Sequence, residues 1–253
     1  GPPLAGLLIA VVGTSNVLWF NAASFVSSAV LVGVAVPATA LADRGESAGG
    51  YLAEMRDGLQ FLLRDRLLRL LAWTISVTNL LDAGMAAVII PVFVRRTYGE
   101  DASTELGLVF GAFGAGAVAG SIAYAAFGHR LPRRATYLTA FIVVALSLWI
   151  YPVSPPLALL LLGRAISGAA AGPLNPILMT VFQERVPGPL RGRVFGSLSA
   201  GVLAGAPLGV LAAGVSIERI GLTTTLAAIA VLYLIVTVAT AFNPATRLMD
   251  ERG

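Results

Sequence analysis

Seven stretches of about 20 residues, nearly free of charge, divide the chain at 17–36, 70–94, 106–128, 135–152, 157–182, 194–215 and 222–242. A helix needs about 20 mostly apolar residues to cross a hydrocarbon core of about 30 Å, because each residue advances it by 1.5 Å. Lipid offers no hydrogen bonds to the backbone, so stretches of this length and apolarity are expected to be helices. The fold class that follows is all-α, a polytopic transmembrane helical bundle. Composition agrees: of 253 residues, 57% are hydrophobic and 12% are charged, against about 25% charged in a soluble domain. A water-soluble globule has too little polar surface to cover that much apolar area. The 28 Gly and 14 Pro do not signal disorder, since disorder needs low hydrophobicity as well.

Residue inventory removes several chemistries. The chain has no Cys and one His, His129, so disulfides, thiolate sites, a His-based metal cluster and a His proton relay are excluded. No metal or other cofactor is expected. No Walker loop, no nucleotide fingerprint after a strand and no paired intramembrane carboxylates occur, so the reading is not an enzyme. All 17 basic residues are Arg, dispersed among the apolar runs rather than gathered on a face, which argues against a nucleic-acid partner.

Those arginines orient the bundle. With the C-terminus in the cytoplasm, thirteen fall on the inner side (Arg44, Arg56, Arg64, Arg66, Arg69, Arg130, Arg133, Arg134, Arg185, Arg191, Arg193, Arg247, Arg252). Three, Arg95, Arg96 and Arg219, fall outside. The positive-inside rule selects this arrangement, a multi-pass protein of the plasma membrane. Residues 1–12 are apolar but reach only about 18 Å as a helix. With Gly1 at the start and no signal pattern, the chain is expected to be a piece of a longer protein. Three regions follow: 1–37, 38–69 and 70–253. In the second, Leu52, Met55, Leu59 and Leu62 recur at helical spacing between Tyr51 and Arg69. This predicts an amphipathic helix lying in the interface, or a plain extension of the next span.

Two charges lie well inside spans. Asp82 is midway along 70–94 and Arg164 about seven residues into 157–182. A charge at the bilayer centre costs about 2.5–3.5 kcal/mol on insertion scales, so it normally faces a cavity or a partner. Asp82 and Arg164 are therefore the candidates for proton coupling, and the alternatives are a fixed ion pair or an Asp that caps backbone in an unwound turn. Asn79 and Asn175 are the candidates for a polar substrate path. Pro173 and Pro176 around Asn175, and Pro207, interrupt spans where freed carbonyls must face protein or water. Trp73, Phe93, Phe110, Phe113 and Trp149 are candidates for cavity walls or interfacial anchors. Two glycine ladders, Gly107-Gly111-Gly116-Gly120 and Gly201-Gly205-Gly209, are expected to pack helices closely.

Several motifs together resemble the major facilitator superfamily. Gly1-Pro2-Pro3-Leu4-Ala5-Gly6 is similar to the end of the family's antiporter motif G-P-x-x-G-G in helix five, with Ala5 in place of one Gly. Gln183-Glu184-Arg185-Val186-Pro187 followed by Arg191-Gly192-Arg193-Val194-Phe195-Gly196 resembles the loop between helices ten and eleven in macrolide and enterobactin-type exporters. Glu54-x-x-x-Gly58-Leu59-x-Phe61 with Leu67-x-Arg69 resembles the same subgroup's entry to helix seven. Arg164-x-x-x-Gly168 with Leu160 resembles a fourth-helix motif, here in the pseudo-repeat position, helix ten. His129-Arg130-Leu131-Pro132-Arg133-Arg134 is similar to the repeated D-R-x-G-R-R loop, with His129 for Asp and Pro132 for Gly.

The resemblance implies a C-terminal six-helix half plus the end of the N-terminal half, helices five and six. It implies proton-driven efflux of an amphipathic small molecule such as a drug, macrolide or siderophore, with lipid bilayer, protons and a missing N-terminal half as partners. His129, Arg130, Arg133, Arg134, Arg191 and Arg193 become the expected cytoplasmic gate. Gly1, Pro2, Gly6, Pro173, Pro176 and Pro207 become kink and packing positions. Two rivals stay open, an uptake permease of the same fold and a truncated scaffold that transports nothing.

Overall fold

The computed structural model describes residues 14–35, 50–99 and 102–251. The Gly1–Gly6 motif, the linker 38–49, Arg44 and Arg252 lie outside the described residues, as does the Leu52 side chain. The chain divides into two units, Gly1–Glu54 and Met55–Gly253. Among the described residues every regular element is helical.

In the first unit, α1 (Thr14–Ala35) is a single 22-residue helix. It is apolar on all sides, which suits a helix surrounded by lipid rather than one facing a soluble core. Two of its hydroxyls turn inward to its own backbone: Ser24 Oγ donates to Asn21 O and Ser27 Oγ to Ala23 O. That satisfies them where no water is present.

The second unit contains α2 (Gly50–Arg64) from residue 55 on, then α3 (Arg66–Gly84), a wide π turn (Met85–Ile89) and α4 (Ile90–Tyr98). There follow α5 (Ser103–Phe127), α6 (Arg133–Ser147), α7 (Leu157–Ala171), α8 (Leu174–Arg185), α9 (Arg191–Ile220) and α10 (Leu222–Phe242). Together with short 3-10 turns these make six membrane-length segments in this unit: 66–98, 103–130, 133–153, 157–185, 188–220 and 222–242. With α1, the described residues hold seven helical segments long and apolar enough to span a membrane. The chain is thus a multi-pass membrane protein. Most observed segments extend the expected ones by one to several residues at one or both ends, while 222–242 coincides and α1 ends one residue earlier.

Two close pairs organise the bundle, α5 with α7 and α3 with α9, while α6 and α10 pack together and bridge them. Between helices already in lipid the drive is close packing rather than water exclusion, and glycine supplies the approach. A Cβ on Gly116 would strike the Ala165 carbonyl, and one on Gly120 the Ala169 carbonyl. From the other side, a Cβ on Gly168 would strike the Phe113 carbonyl, and one on Gly172 would come within 2.6 Å of Ser121 N. The α3–α9 pair repeats this with Gly84, whose Cβ would lie 2.7 Å from Gly209 O, and Gly209, which abuts the Leu80 carbonyl.

The glycine ladders therefore divide. Gly116, Gly120 and Gly209 pack as expected, whereas Gly107, Gly201 and Gly205 face open space. The expected break at Pro173 is present: α7 ends at Ala171 and α8 restarts at Leu174. Pro207 behaves otherwise, since α9 runs unbroken through it for 30 residues. The amphipathic stretch also needs a correction. It ends at Arg64, and one face lies on protein rather than wholly in the interface. Leu62 is buried, Gly58 abuts the Arg193 carbonyl, and Ser197 Oγ donates to Met55 O at 2.8 Å. Nor is it a plain extension of the next span. Asp65 leaves the helical region (φ −77, ψ 125) and caps α3, accepting from Leu67 N and Leu68 N.

Candidate functional site

Along α3 the buried positions Leu71, Thr74, Thr78, Leu81 and Met85 recur at three- and four-residue spacing and face the bundle. Asn79, Asp82 and Ala86 fall on the opposite, exposed side. Asp82 is thus deep along the span yet open at the surface of the six-helix unit. Directly after it the helix widens. Met85 N–H is shared between Asp82 O and Leu81 O, and Ile90 N–H reaches back five residues to Met85 O. Pro91 explains the widening: it has no N–H to give, and its ring would clash with the carbonyl one turn earlier. A π turn accommodates both, and such turns are frequent at functional sites. The π turn is the feature that reading the sequence missed, and Pro91 was its only signal.

Arg164 sits midway along α7. Its guanidinium carbon is 4.4 Å from the Phe113 ring centroid, a cation–π contact with α5. The register that brings the two together is fixed by Gly116 and Gly168, which hold the α5 and α7 backbones in contact. Arg164 Nε is buried and has no hydrogen-bond partner, and neither has the buried Tyr151 hydroxyl. The two groups are neighbours without a well-aligned hydrogen bond between them. Asp82 on α3 and Arg164 on α7 are the two charges well inside spans. Among the described residues no ion pair joins them, so the expected alternative of a fixed pair is not what the structure contains. A positive charge held on an aromatic face and left short of acceptors is available to a mobile or incoming anion.

Asn79 lies one turn before Asp82 on the same exposed side of α3, whereas Asn175 belongs to another helix. Asn79 Nδ2 donates to Ile75 O in its own helix at 2.9 Å. Asn175 is exposed in the first turn of α8, directly after the Gly172-Pro173 break. Of the aromatic candidates, Phe93 is buried edge-on against Tyr151, 5.1 Å between centroids. It belongs to the core and also lines a cavity of about 420 Å³ with Arg96, Thr97 and Tyr151. Trp73 and Trp149 are well exposed near span ends.

The Arg-rich end of the unit holds a connected set of polar contacts. Arg133 forms a two-pronged pair with Glu184, one arm at 2.9 Å, tying α6 to α8. Arg134 donates its backbone N–H to Asp250 and Nε to Thr246 Oγ1. Arg185 reaches both Asp65 at 3.2 Å and the Leu248 carbonyl at 2.9 Å. Arg191 closes its own loop on the Val186 and Gln183 carbonyls, and Arg193 pairs with Asp57 at 3.3 Å. His129 accepts from its neighbour Arg130 at the exposed surface. Four of the six expected gate residues thus bridge separate elements or shape a loop, while His129 and Arg130 bind each other. The acids Asp65, Glu184 and Asp250 were not singled out as site residues. Their partners stand 51 to 120 positions away.

Comparison with known proteins gives a consistent grouping. The family model described as Major Facilitator Superfamily matches residues 72–250. The multidrug efflux pump Tap of Mycolicibacterium fortuitum is 34% identical over 251 residues, covering 99% of this chain and 61% of that protein. The protein of the same name in Mycobacterium tuberculosis (strain ATCC 25618 / H37Rv) is 29% identical, with 99% and 59% covered. The uncharacterized MFS-type transporter YfiS of Bacillus subtilis is 28% identical over 241 residues, with 88% and 54% covered. The chain therefore spans about three fifths of the length of the pumps it matches. No solved structure matches it.

Proposed function

Because the chain belongs to the Major Facilitator Superfamily, we propose that it is the C-terminal portion of a proton-driven exporter of amphipathic small molecules. On this reading residues 70–253 form the C-terminal six-helix half, 1–37 end the N-terminal half, and 38–69 link them. The working transporter then includes a second six-helix half. It sits in the plasma membrane with its C-terminus in the cytoplasm, as the arginine distribution favours.

One observation carries the proposal: Asp82 is exposed at mid-span beside the π turn, and Arg164 is the other charge well inside a span. A carboxylate changes its proton affinity when its exposure or its distance from a cation changes. Rocking of one half against the other about a midplane site changes both. Asp82 then carries the proton and Arg164 modulates it. Asn79 and Asn175 offer hydrogen bonds along the substrate path, and the Arg133–Glu184 and Arg134–Asp250 contacts hold the cytoplasmic gate. The two matched proteins named as multidrug efflux pumps support a drug-like substrate.

The test is uptake of a fluorescent cationic drug into inverted membrane vesicles containing the full-length parent. An exporter accumulates drug inside such vesicles when a proton gradient is applied, and a proton uncoupler abolishes the accumulation. Drug leaving the vesicles under the same gradient would identify an importer instead.

A further inference from the structure

We infer that the crevice between the first turns of α3 and the end of α10 is a binding site for the headgroup of an anionic phospholipid. A cavity of about 540 Å³ lies there, walled by Arg66, Arg69, Trp73, Leu70, Ala239 and Leu248. That volume is in the range of small-molecule sites. Its position is fixed by chain direction: Arg66 begins one membrane segment and Phe242 ends another, so it lies where hydrocarbon gives way to headgroups. It lies at the opening turns of α3, about two turns or more before Asp82, and holds none of the residues assigned above to transport.

The charge balance selects the occupant. Arg66 has no hydrogen-bond or ion-pair partner among the described residues. Arg69 gives one nitrogen to the Leu63 carbonyl at 2.9 Å and keeps its remaining donors. The nearest carboxylate in the chain, Asp65, is already used. One oxygen caps Leu67 and Leu68, and the other takes Arg185. Two guanidinium groups are therefore left uncompensated at the edge of a crevice. A planar guanidinium matches a phosphate in paired hydrogen bonds. Below them the wall is apolar and suits the start of an acyl chain, and Trp73, 47% exposed, is an aromatic of the kind that favours the headgroup level. A soluble phosphate ion matches the arginines but leaves the apolar wall unfilled. Basic pockets between spans recognise anionic lipids through this combination.

Native mass spectrometry of the purified full-length protein tests the assignment, with dioleoylphosphatidylglycerol, dioleoylphosphatidylcholine and free glycerol 3-phosphate as probes. Phosphatidylglycerol is expected to bind roughly 25-fold more tightly than phosphatidylcholine, at about fivefold for each of the two arginines. The Arg66→Gln/Arg69→Gln pair should remove that preference, and Arg66→Lys/Arg69→Lys should keep most of it. Arg95→Gln/Arg96→Gln, an equal charge loss at the opposite end, should leave it intact. Should the glutamine pair not fold, Ala239→Trp keeps both charges and fills the crevice, and it too should lose the preference. Equal binding of the two lipids, equal loss from both arginine pairs, or displacement of the lipid by glycerol 3-phosphate would each overturn the assignment. None of these readouts depends on transport, so they stand apart from the exporter reading.

Discussion

Arg164 places an arginine where lipid alone surrounds most residues, and its surroundings explain how it is tolerated. Phe113 takes one face of the guanidinium at 4.4 Å, while Nε is buried with no acceptor. A partly desolvated cation–π contact contributes about 0.5–2 kcal/mol. A double-mutant cycle on Arg164→Met and Phe113→Leu, read by thermal unfolding in detergent, should give a coupling in that range. Additive effects would show that the ring does not hold the cation. The lone intramembrane charges were legible in the sequence for a physical reason: insertion is costly, so Asp82 and Arg164 stand out against apolar neighbours. Their relation was not legible. A fixed ion pair and two separated charges have the same sequence, and only the packing of α3, α5 and α7 distinguishes them.

Among the elements, the α5–α7 pair shows why a ladder of small residues can be seen in a sequence without its register being known. Gly116, Gly120 and Gly168 touch backbone carbonyls of the facing helix, whereas Gly201 and Gly205 touch nothing, although all recur at the same helical spacing. Gly168→Leu should therefore destabilise the protein by about 1–3 kcal/mol through overpacking, and Gly201→Leu by much less. Thermal midpoints of the two variants in one detergent check this, and equal losses would place Gly201 in a packed interface. Span existence was legible because about 20 apolar residues have few other uses. The two proline outcomes were not. Pro173 follows Gly172, and helix α7 ends there. Pro207 stands in a continuous helix, where neighbouring groups can satisfy the freed carbonyl. At Pro91 the helix widens instead of breaking. Proline announces a disturbance in the ladder, and tertiary context decides its form.

Over the whole six-helix unit, contacts distant in sequence fasten the Arg-rich ends together. Arg133–Glu184 joins α6 to α8, and Arg185 joins Asp65 to the C-terminal turn. Partly exposed pairs of this kind add little to stability, about 0–1 kcal/mol, so their expected role is to favour one arrangement of the ends over another. Arg133→Glu should then raise labelling of a cysteine introduced near Thr180, and the exchange Arg133→Glu/Glu184→Arg should return it toward the original level. Failure of the exchange to restore labelling would mean that the pair does not set the arrangement. The arginines of this cluster were visible from the positive-inside bias, but their acidic partners were not, because 51 to 120 residues separate them.

All of these scales meet at Asp82, which lies exposed at mid-span, directly before the π turn and next to the glycine crossing of α3 and α9. The most direct test of its proposed role is Asp82→Asn in the full-length parent, measured as proton-gradient-driven drug accumulation in inverted vesicles at matched expression. The account predicts accumulation reduced to the uncoupled baseline, with membrane insertion unchanged. Accumulation equal to that of the unsubstituted protein would contradict it.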